Sequence, residues 1–301
     1  MNEHYMELIA EGGISLERLV TLCRVADAGG LSKAARGDVS RLSMYSRQLK
    51  DLEGFFGVAL TRKVGRTVAL TNEARRLANQ ARGYFKELTV FREEVGRVKP
   101  SVSLGSSQSV FEWWLWPRLG AVKKALPAGA RLKTVVMRSS DLVRAVEDQT
   151  LDAALVRSDL VPRTLKSAPA FTMTYNLFVP AGMKPGKKMV AATFARLPLA
   201  VSMGGQIRER LESGAKKAGV ELNIAMECPS FTLVAKAVQS GEYAAVLPDL
   251  AEIAVDGHQV KKYAIPLDGI PPRPIALIWH PRTPESRLKP VVGVLRRDRK
   301  E

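Results

Sequence analysis

Histidine and cysteine are scarce in this chain: three His and two Cys among 301 residues. His4, His258 and His280 have no metal-ligand spacing and no cysteine cluster accompanies them, which argues against a metal site. Gly204-Gly205 is followed by no Lys-Ser or Lys-Thr at phosphate-loop distance, and no Ser, His and Asp arrangement can be assembled. With no acid, base or nucleophile set, the chain is expected not to be an enzyme and to need no cofactor. No stretch approaches the roughly eighteen consecutive apolar residues of a membrane span. The segment Met1 to Glu7 is acidic and lacks a basic region followed by an apolar one, so it does not read as a secretory signal, and a cytoplasmic protein is expected. Cys23 and Cys228 lie far apart in apolar surroundings, which suits a reducing compartment where thiols act as small hydrophobes. A redox pair lacks a nearby resolving thiol.

What the chain does have is basic charge, +16 overall, with 46% hydrophobic residues typical of a globular protein of two or three domains. The distribution of that charge limits its meaning. Residues 1–98 hold 16 basic and 12 acidic side chains, a net +4, so most of the excess lies further on. A basic C-terminal portion fits an anionic ligand, added non-specific DNA affinity, or solubility.

A sharper signal lies between Leu16 and Thr71. Gly30 to Asp38 and Val39 to Glu53 read as two short helices around a tight turn at Gly37-Asp38, with Ala34-Ala35 allowing close approach. Ser40 can cap the second helix, with Asp38 as the alternative. On that helix Tyr45, Leu49 and Leu52 recur at inward spacing, leaving Arg41, Ser43, Ser46, Arg47 and Lys50 outward. A short polar and basic face of this kind suits a DNA groove, because Ser and Arg hydrogen-bond base edges while Lys and Arg neutralise phosphates. Gly57 to Thr71 then reads as a hairpin, a wing whose tip carries Arg62, Lys63 and Arg66. From Leu31 to Arg66 eight basic residues face three acids, a local +5.

These residues resemble the LysR-type transcriptional regulators. Leu31-Ser32-x-Ala34-Ala35, Ser46-Arg47-Gln48-Leu49-x-x-Leu52-Glu53, Gly57-Val58-x-Leu60 and Leu70-Thr71 fit the family pattern. The departures are specific. The family's Ser-Gln-Pro helix start falls on Arg41-Leu42-Ser43, so Leu42 replaces a base-reading Gln. Thr61 stands where the family has Phe, and Asn72-Glu73-Ala74 replaces x-Ala-Gly. The resemblance implies the fold; with the outward helix face and the wing, the candidate DNA-contacting residues are Ser32, Lys33, Arg41, Leu42, Ser43, Ser46, Arg47, Lys50, Arg62, Lys63 and Arg66. It does not carry over a family-average DNA sequence.

After the wing, Ala74, Leu77, Ala81, Tyr84, Leu88, Phe91, Val95 and Val98 alternate steps of three and four with no proline before Pro100. That heptad seam predicts a long helix pairing with a second copy; packing on its own domain is the alternative. Two-fold pairing predicts a pseudo-palindromic site in double-stranded DNA. The expected division is 1–72 winged helix-turn-helix, 73–98 linker and dimerisation helix, and 99–301 effector domain. A homodimer through the linker helix, assembling further to a homotetramer, is the expected partner arrangement.

Beyond Lys99-Pro100-Ser101 strands and helices alternate. Expected elements include strands at Val102 to Gly105, Ala130 to Met137 and Ala153 to Val156, and helices at Val110 to Ala125 and Ser140 to Gln149. Alternation predicts parallel sheets in two α/β lobes, lobe I about 102–160 with 268–301 and lobe II about 161–267. The overall class is α+β multidomain, the second domain being two-lobed and periplasmic-binding-protein-like, as the resemblance implies. Ligands in such sheets sit beyond the C-terminal strand ends. Four such ends are rich in small polar residues: Ser106-Ser107-Gln108-Ser109, Ser139-Ser140, Ser202-Met203-Gly204-Gly205-Gln206 and Pro229-Ser230-Phe231-Thr232. Helix capping is the competing explanation for each serine. By resemblance effector contacts fall at Ser109, Ser140, Ser202, Met203, Gly204, Ser230 and Phe231, and the strand-end loops add Ser106, Ser107 and Ser139 as candidates, with Ser109 and Ser140 foremost. The cluster Trp113, Trp114 and Trp116 cannot all be buried by one lobe, and reads as core or subunit interface ahead of ligand stacking.

Two functions compete at this point. One is a regulator whose lobed domain senses a small, possibly anionic effector; the other is a DNA-binding structural protein with an unused cleft.

Overall fold

Ser15 opens the order of the N-terminal unit: in extended conformation, its side chain accepts the N–H of Arg18 at 3.2 Å and starts α1, Leu16–Ala28. In this computed structural model the described residues are 12–65, 67–96, 99–185 and 188–296. The chain divides into two compact units, one of residues 1–99 with 148–150 and the other of 100–147 with 151–301. Arg66 and Val98 fall outside the described residues.

In the first unit α1 is followed by α2, Leu31–Ala35, and α3, Val39–Phe56. The turn between α2 and α3 puts Arg36 and Gly37 at positive φ, 52° and 82°, the second of which only glycine adopts without strain. Asp38, not Ser40, caps α3: its carboxylate accepts the N–H of Arg41 at 3.0 Å. Ser40 already lies within the helix, whereas Asp38 holds the extended backbone a cap requires. Tyr45, Leu49 and Leu52 are buried, as their spacing predicts, beside Leu22, Val25 and Leu60. Each fully buried leucine contributes about 1.5–3 kcal/mol. Polar pins fix α3 against α1, with Arg18 bonded to Asp51 at 2.9–3.0 Å and Thr21 donating to Gln48 at 2.6 Å.

The wing is an antiparallel hairpin of β1, Thr61–Val64, and β2, Thr67–Leu70, with Gly65 at φ 59° in its tip. One carboxylate oxygen of Glu53 accepts the N–H groups of Leu60 and Thr61 at 2.8 Å each and the Thr61 hydroxyl at 2.9 Å. Thr61 therefore anchors the wing to α3 by hydrogen bonding at the position where the family pattern has an apolar ring. Helix α4, Asn72–Glu94, is capped by Thr71. Its first half is not free for pairing: Ala74, Ala78 and Ala81 are buried in the unit's own core. Its second half leaves Tyr84, Leu88, Phe91 and Val95 exposed, at 40–63%.

Among the described residues the second unit contains three sheets. The first has the order β4-β3-β5-β12-β6, built from β3 (Ser101–Ser106), β4 (Arg131–Val136), β5 (Ala153–Arg157), β6 (Lys166–Met173) and β12 (Arg273–Trp279). Only β3, β4 and β5 run parallel; β12 is antiparallel to both β5 and β6. An all-parallel sheet fails here because β12 is the return strand and enters from the far lobe. Strand β6 belongs to this first sheet, so lobe I extends through Met173, beyond the boundary at 160. The helix expected over Val110 to Ala125 is four pieces: α5 (Gln108–Val110), a π turn (Phe111–Leu115), a 3-10 turn (Trp116–Arg118) and α6 (Leu119–Ala125). Pro117 has no N–H to give the ladder, and the Trp116 N–H reaches back five residues to the Phe111 carbonyl. That wider turn separates the neighbouring tryptophans. Trp114 enters the main core and stacks on Phe171 at 4.4 Å, Trp113 enters a second core with Phe178 and Cys228, and Trp116 stays exposed.

Helix α7, Ser139–Glu147, covers β3 so closely that a Cβ on Gly105 would lie 2.4 Å from Leu142 and 2.5 Å from Leu151. The far lobe holds β7 (Tyr175–Pro180), β8 (Leu199–Ser202), β9 (Ile224–Cys228), β10 (Ala245–Pro248) and β11 (Val260–Tyr263). There β10, β7 and β11 form an antiparallel sheet in that order, β8 and β9 form a parallel pair, and Ala244, just before β10, bridges to Leu199. Helices α8 (Ala191–Arg196), α9 (Gln206–Lys217) and α10 (Phe231–Gln239) pack on these strands, and α11 (Glu285–Leu295) returns to lobe I.

Candidate functional site

On the N-terminal unit the outward face of α3 carries Arg41, Ser43, Arg47 and Lys50 exposed, with Leu42 and Ser46 half-buried. Ser32 and Lys33 are exposed on α2, and Arg62 and Lys63 on the wing. Arg41 contacts Asp38 at 3.8 Å. None of Lys33, Arg47, Lys50, Arg62 and Lys63 is held in an ion pair among the described residues. Cations left unpaired on one rigid surface are available to phosphates, and the hydroxyls between them to base edges. Leu42 packs partly against the unit's core, so an apolar residue there supports the helix as well as bordering the reading face.

In the second unit the four predicted loops fall into two pairs. Ser106 to Ser109 and Ser139-Ser140 follow adjacent parallel strands, the Met137 N–H donating to the Ser106 carbonyl at 3.2 Å. Ser202 to Gly204 and Ser230-Phe231 likewise follow adjacent parallel strands, the Met203 N–H donating to the Cys228 carbonyl at 2.7 Å. The pairs meet across the lobes where α5 packs against α10. Individual side chains differ in availability. Ser106 is fully buried, and among the described residues its hydroxyl finds no hydrogen-bond partner; Ser109 is buried, Ser107 and Ser139 are half-buried and Ser140 is exposed. The Ser202 hydroxyl sits 3.5 Å from the Gly204 carbonyl, and Met203 is exposed. Ser230 caps α10 through the Leu233 N–H at 3.4 Å and shares a hydrogen bond with Thr232 at 2.9 Å.

Residues 16–75 match the family described as "Bacterial regulatory helix-turn-helix protein, lysR family", and residues 96–298 match "LysR substrate binding domain". The chain belongs to the LysR family of transcriptional regulators. It is 26% identical over 235 residues, 75% of either chain, to the probable hydrogen peroxide-inducible genes activator of Mycobacterium leprae. Among solved structures, full-length OxyR from Pseudomonas aeruginosa is similar with a TM-score of 0.65 at 18% identity, over 94% of this chain and 93% of that one. Full-length LysG from Corynebacterium glutamicum with bound effector arginine is similar with a TM-score of 0.61 at 16% identity, over 94% of this chain and all of that one.

In this LysR-family chain the region where strands cross between lobes holds three residues that sequence reasoning did not single out as site residues. Arg273, first in β12, pairs with Met173 at the end of β6, and Tyr175 opens β7 one residue after Thr174. The Arg273 guanidinium lies 5.7 Å from the Tyr175 ring centre and donates to Gln206 Oε1 at 3.1 Å. Burial pushes the Tyr175 phenol up to about 12, against the opposing pull of Arg273 and Arg157. Burial depresses the Arg273 pKa, opposed by Tyr175 and Asp159 and reinforced by the neighbouring charges of Arg157 and Arg210. No local motif marks Arg273 or Tyr175, because only the crossing of distant strands brings them together. Both thiols are buried, and burial raises the pKa of Cys23 and of Cys228.

Proposed function

We propose that this LysR-family regulator is a cytoplasmic homodimer, assembling further to a tetramer, that binds a pseudo-palindromic DNA site and responds to a small anionic effector held between the lobes of its second unit. The observation that carries the DNA half of this reading is the unpaired basic face of α3, flanked by the wing cations Arg62 and Lys63. Arg47 and Ser46 are the base readers in this account; Lys33, Lys50, Arg62 and Lys63 position the protein on phosphates. Pairing through α4 is supported by the exposed stripe Tyr84, Leu88, Phe91 and Val95, which the unit's own core leaves uncovered. The effector site comprises the loops at Ser106 to Ser109, Ser139-Ser140, Ser202 to Gly204 and Ser230-Phe231, with Ser109 and Ser140 as its first contacts. Ligand that binds one lobe arrangement better shifts the population toward it, and that preference is the coupling to DNA.

Footprinting of the full chain on its own upstream DNA, with and without small carboxylates, tests the reading. The expected result is a discrete protected site whose pattern changes with ligand, and Ser140→Ala abolishing the change while keeping the site. Sequence-indifferent protection with steep salt dependence contradicts it, and points to a structural DNA-binding role instead.

A further inference from the structure

Arg273 is half-buried without a carboxylate partner among the described residues. Its neighbours of like charge are already engaged: Arg157 forms a two-bond fork with Asp159 at 2.9–3.0 Å, and Arg210 donates to the Gly269 carbonyl at 2.9 Å. Among the described residues Arg273 donates to the neutral Gln206 amide oxygen and lies against the face of Tyr175, while the Asp159 carboxylate, held by Arg157, acts on it only from beyond ion-pair distance. A guanidinium taken partly out of water is destabilising unless an anion offsets the lost hydration. Tyr175 is the second sign of an unfilled position. Tyr175 is 8% exposed, and among the described residues its hydroxyl has no partner in good hydrogen-bond geometry, the Arg273 guanidinium being the donor that it faces. A buried hydroxyl left unmade costs about 1–3 kcal/mol.

Gln206 is the first residue of α9, and the Gly205 before it supplies no side-chain cap. Phe231, first in α10, brings its ring within 6.4 Å of the Tyr175 ring. A fork of cationic donors, a phenolic O–H and two aromatic rings therefore converge from β12, β7, α9 and α10.

We propose that Arg273 and Tyr175 form the anchor for the carboxylate of a small organic acid whose apolar body lies against the Tyr175 and Phe231 rings. This rests on the effector reading above and specifies its ligand chemistry. Arginine fits the role because its planar fork can hold a carboxylate through two parallel bonds, leaving the tyrosine hydroxyl to donate a third. The anchor also joins the lobes, since Arg273 belongs to the first sheet while Tyr175, Gln206 and Phe231 belong to the second lobe. A ligand held there bears on both at the strands where they cross.

Titration calorimetry and thermal shift on the full chain test the anchor with benzoate, its neutral counterpart benzamide, and sulfate. Benzoate is expected to bind and stabilise the wild type while benzamide does neither. Arg273→Gln is expected to lower benzoate affinity at least tenfold, in keeping with the loss of charge-assisted bonds, with the circular dichroism of the folded protein retained. Tyr175→Phe should weaken benzoate several-fold. If Arg273→Gln does not fold, Arg273→Lys keeps the charge without the fork and should still lose most of the benzoate affinity. Equal binding of benzoate and benzamide, equal binding of benzoate and sulfate, or wild-type affinity in both Arg273 variants overturns the anchor. If benzoate shifts the DNA footprint alike in wild type and Arg273 variants, the anchor fails and the sensor reading stands. If benzoate binds through Arg273 without moving the footprint, the anchor stands and the sensor reading fails.

Discussion

Among the described residues Arg47 and Lys50, on the outward face of α3, stand in water with no ion-pair partner, whereas Arg273 at the head of β12 lacks one while half-buried. The same chemical group is inexpensive in the first place and costly in the second. DNA brings its own dense charge and fixed shape, so its reader needs only exposed side chains on a rigid, well-capped helix. A small ligand brings little, and its site must hold groups whose hydration has already been given up. Unpaired side chains therefore signify readiness on α3 and incompleteness at the lobe crossing.

The exposed apolar stripe of α4 is a third incomplete surface, and removing it has the largest expected consequence. Leu88→Glu with Phe91→Glu should convert the proposed dimer to monomers by light scattering. Loss of two-headed binding should then lower site affinity by about 10²–10⁴, while the buried Ala74 to Ala81 half keeps the unit folded. A dimer that survives both substitutions assigns the pairing to another surface. Gly105→Ala sharpens the contrast from the side of the cleft. Its Cβ would collide with Leu142 and Leu151, so lobe I should lose about 1–3 kcal/mol or more in urea unfolding. Ser43→Ala on the exposed reading face should change stability by less than about 0.5 kcal/mol. Equal losses from the two substitutions would remove the distinction between a packed cleft edge and a solvated reading face.

The legible parts of the sequence were those fixed by local pattern. Helical spacing placed Tyr45, Leu49 and Leu52 inward, and the glycine and basic residues at the wing marked a hairpin that β1 and β2 form. Capping was read to within a choice, and Asp38 took it because the helix begins one residue later. The π turn at Phe111–Leu115 was not legible, since apolar spacing alone suggests a continuous helix and only Pro117 hints at the break. The direction of β12 and the membership of β6 depend on chain return over about a hundred residues, beyond any local signal. Among candidate ligand groups, the serine-rich loops were visible by composition. Arg273 and Tyr175 were not, because a lone arginine and a lone tyrosine gain meaning only from the strands that cross beneath them.

The most direct measurement is the affinity of wild type and Arg47→Ala for one footprinted site, read beside circular dichroism of both. Loss of a base-reading arginine should weaken specific binding by about tenfold to a hundredfold, with the helical spectrum and melting temperature unchanged. Wild-type affinity and footprint in an intact Arg47→Ala protein would contradict the assignment of α3 as the groove reader.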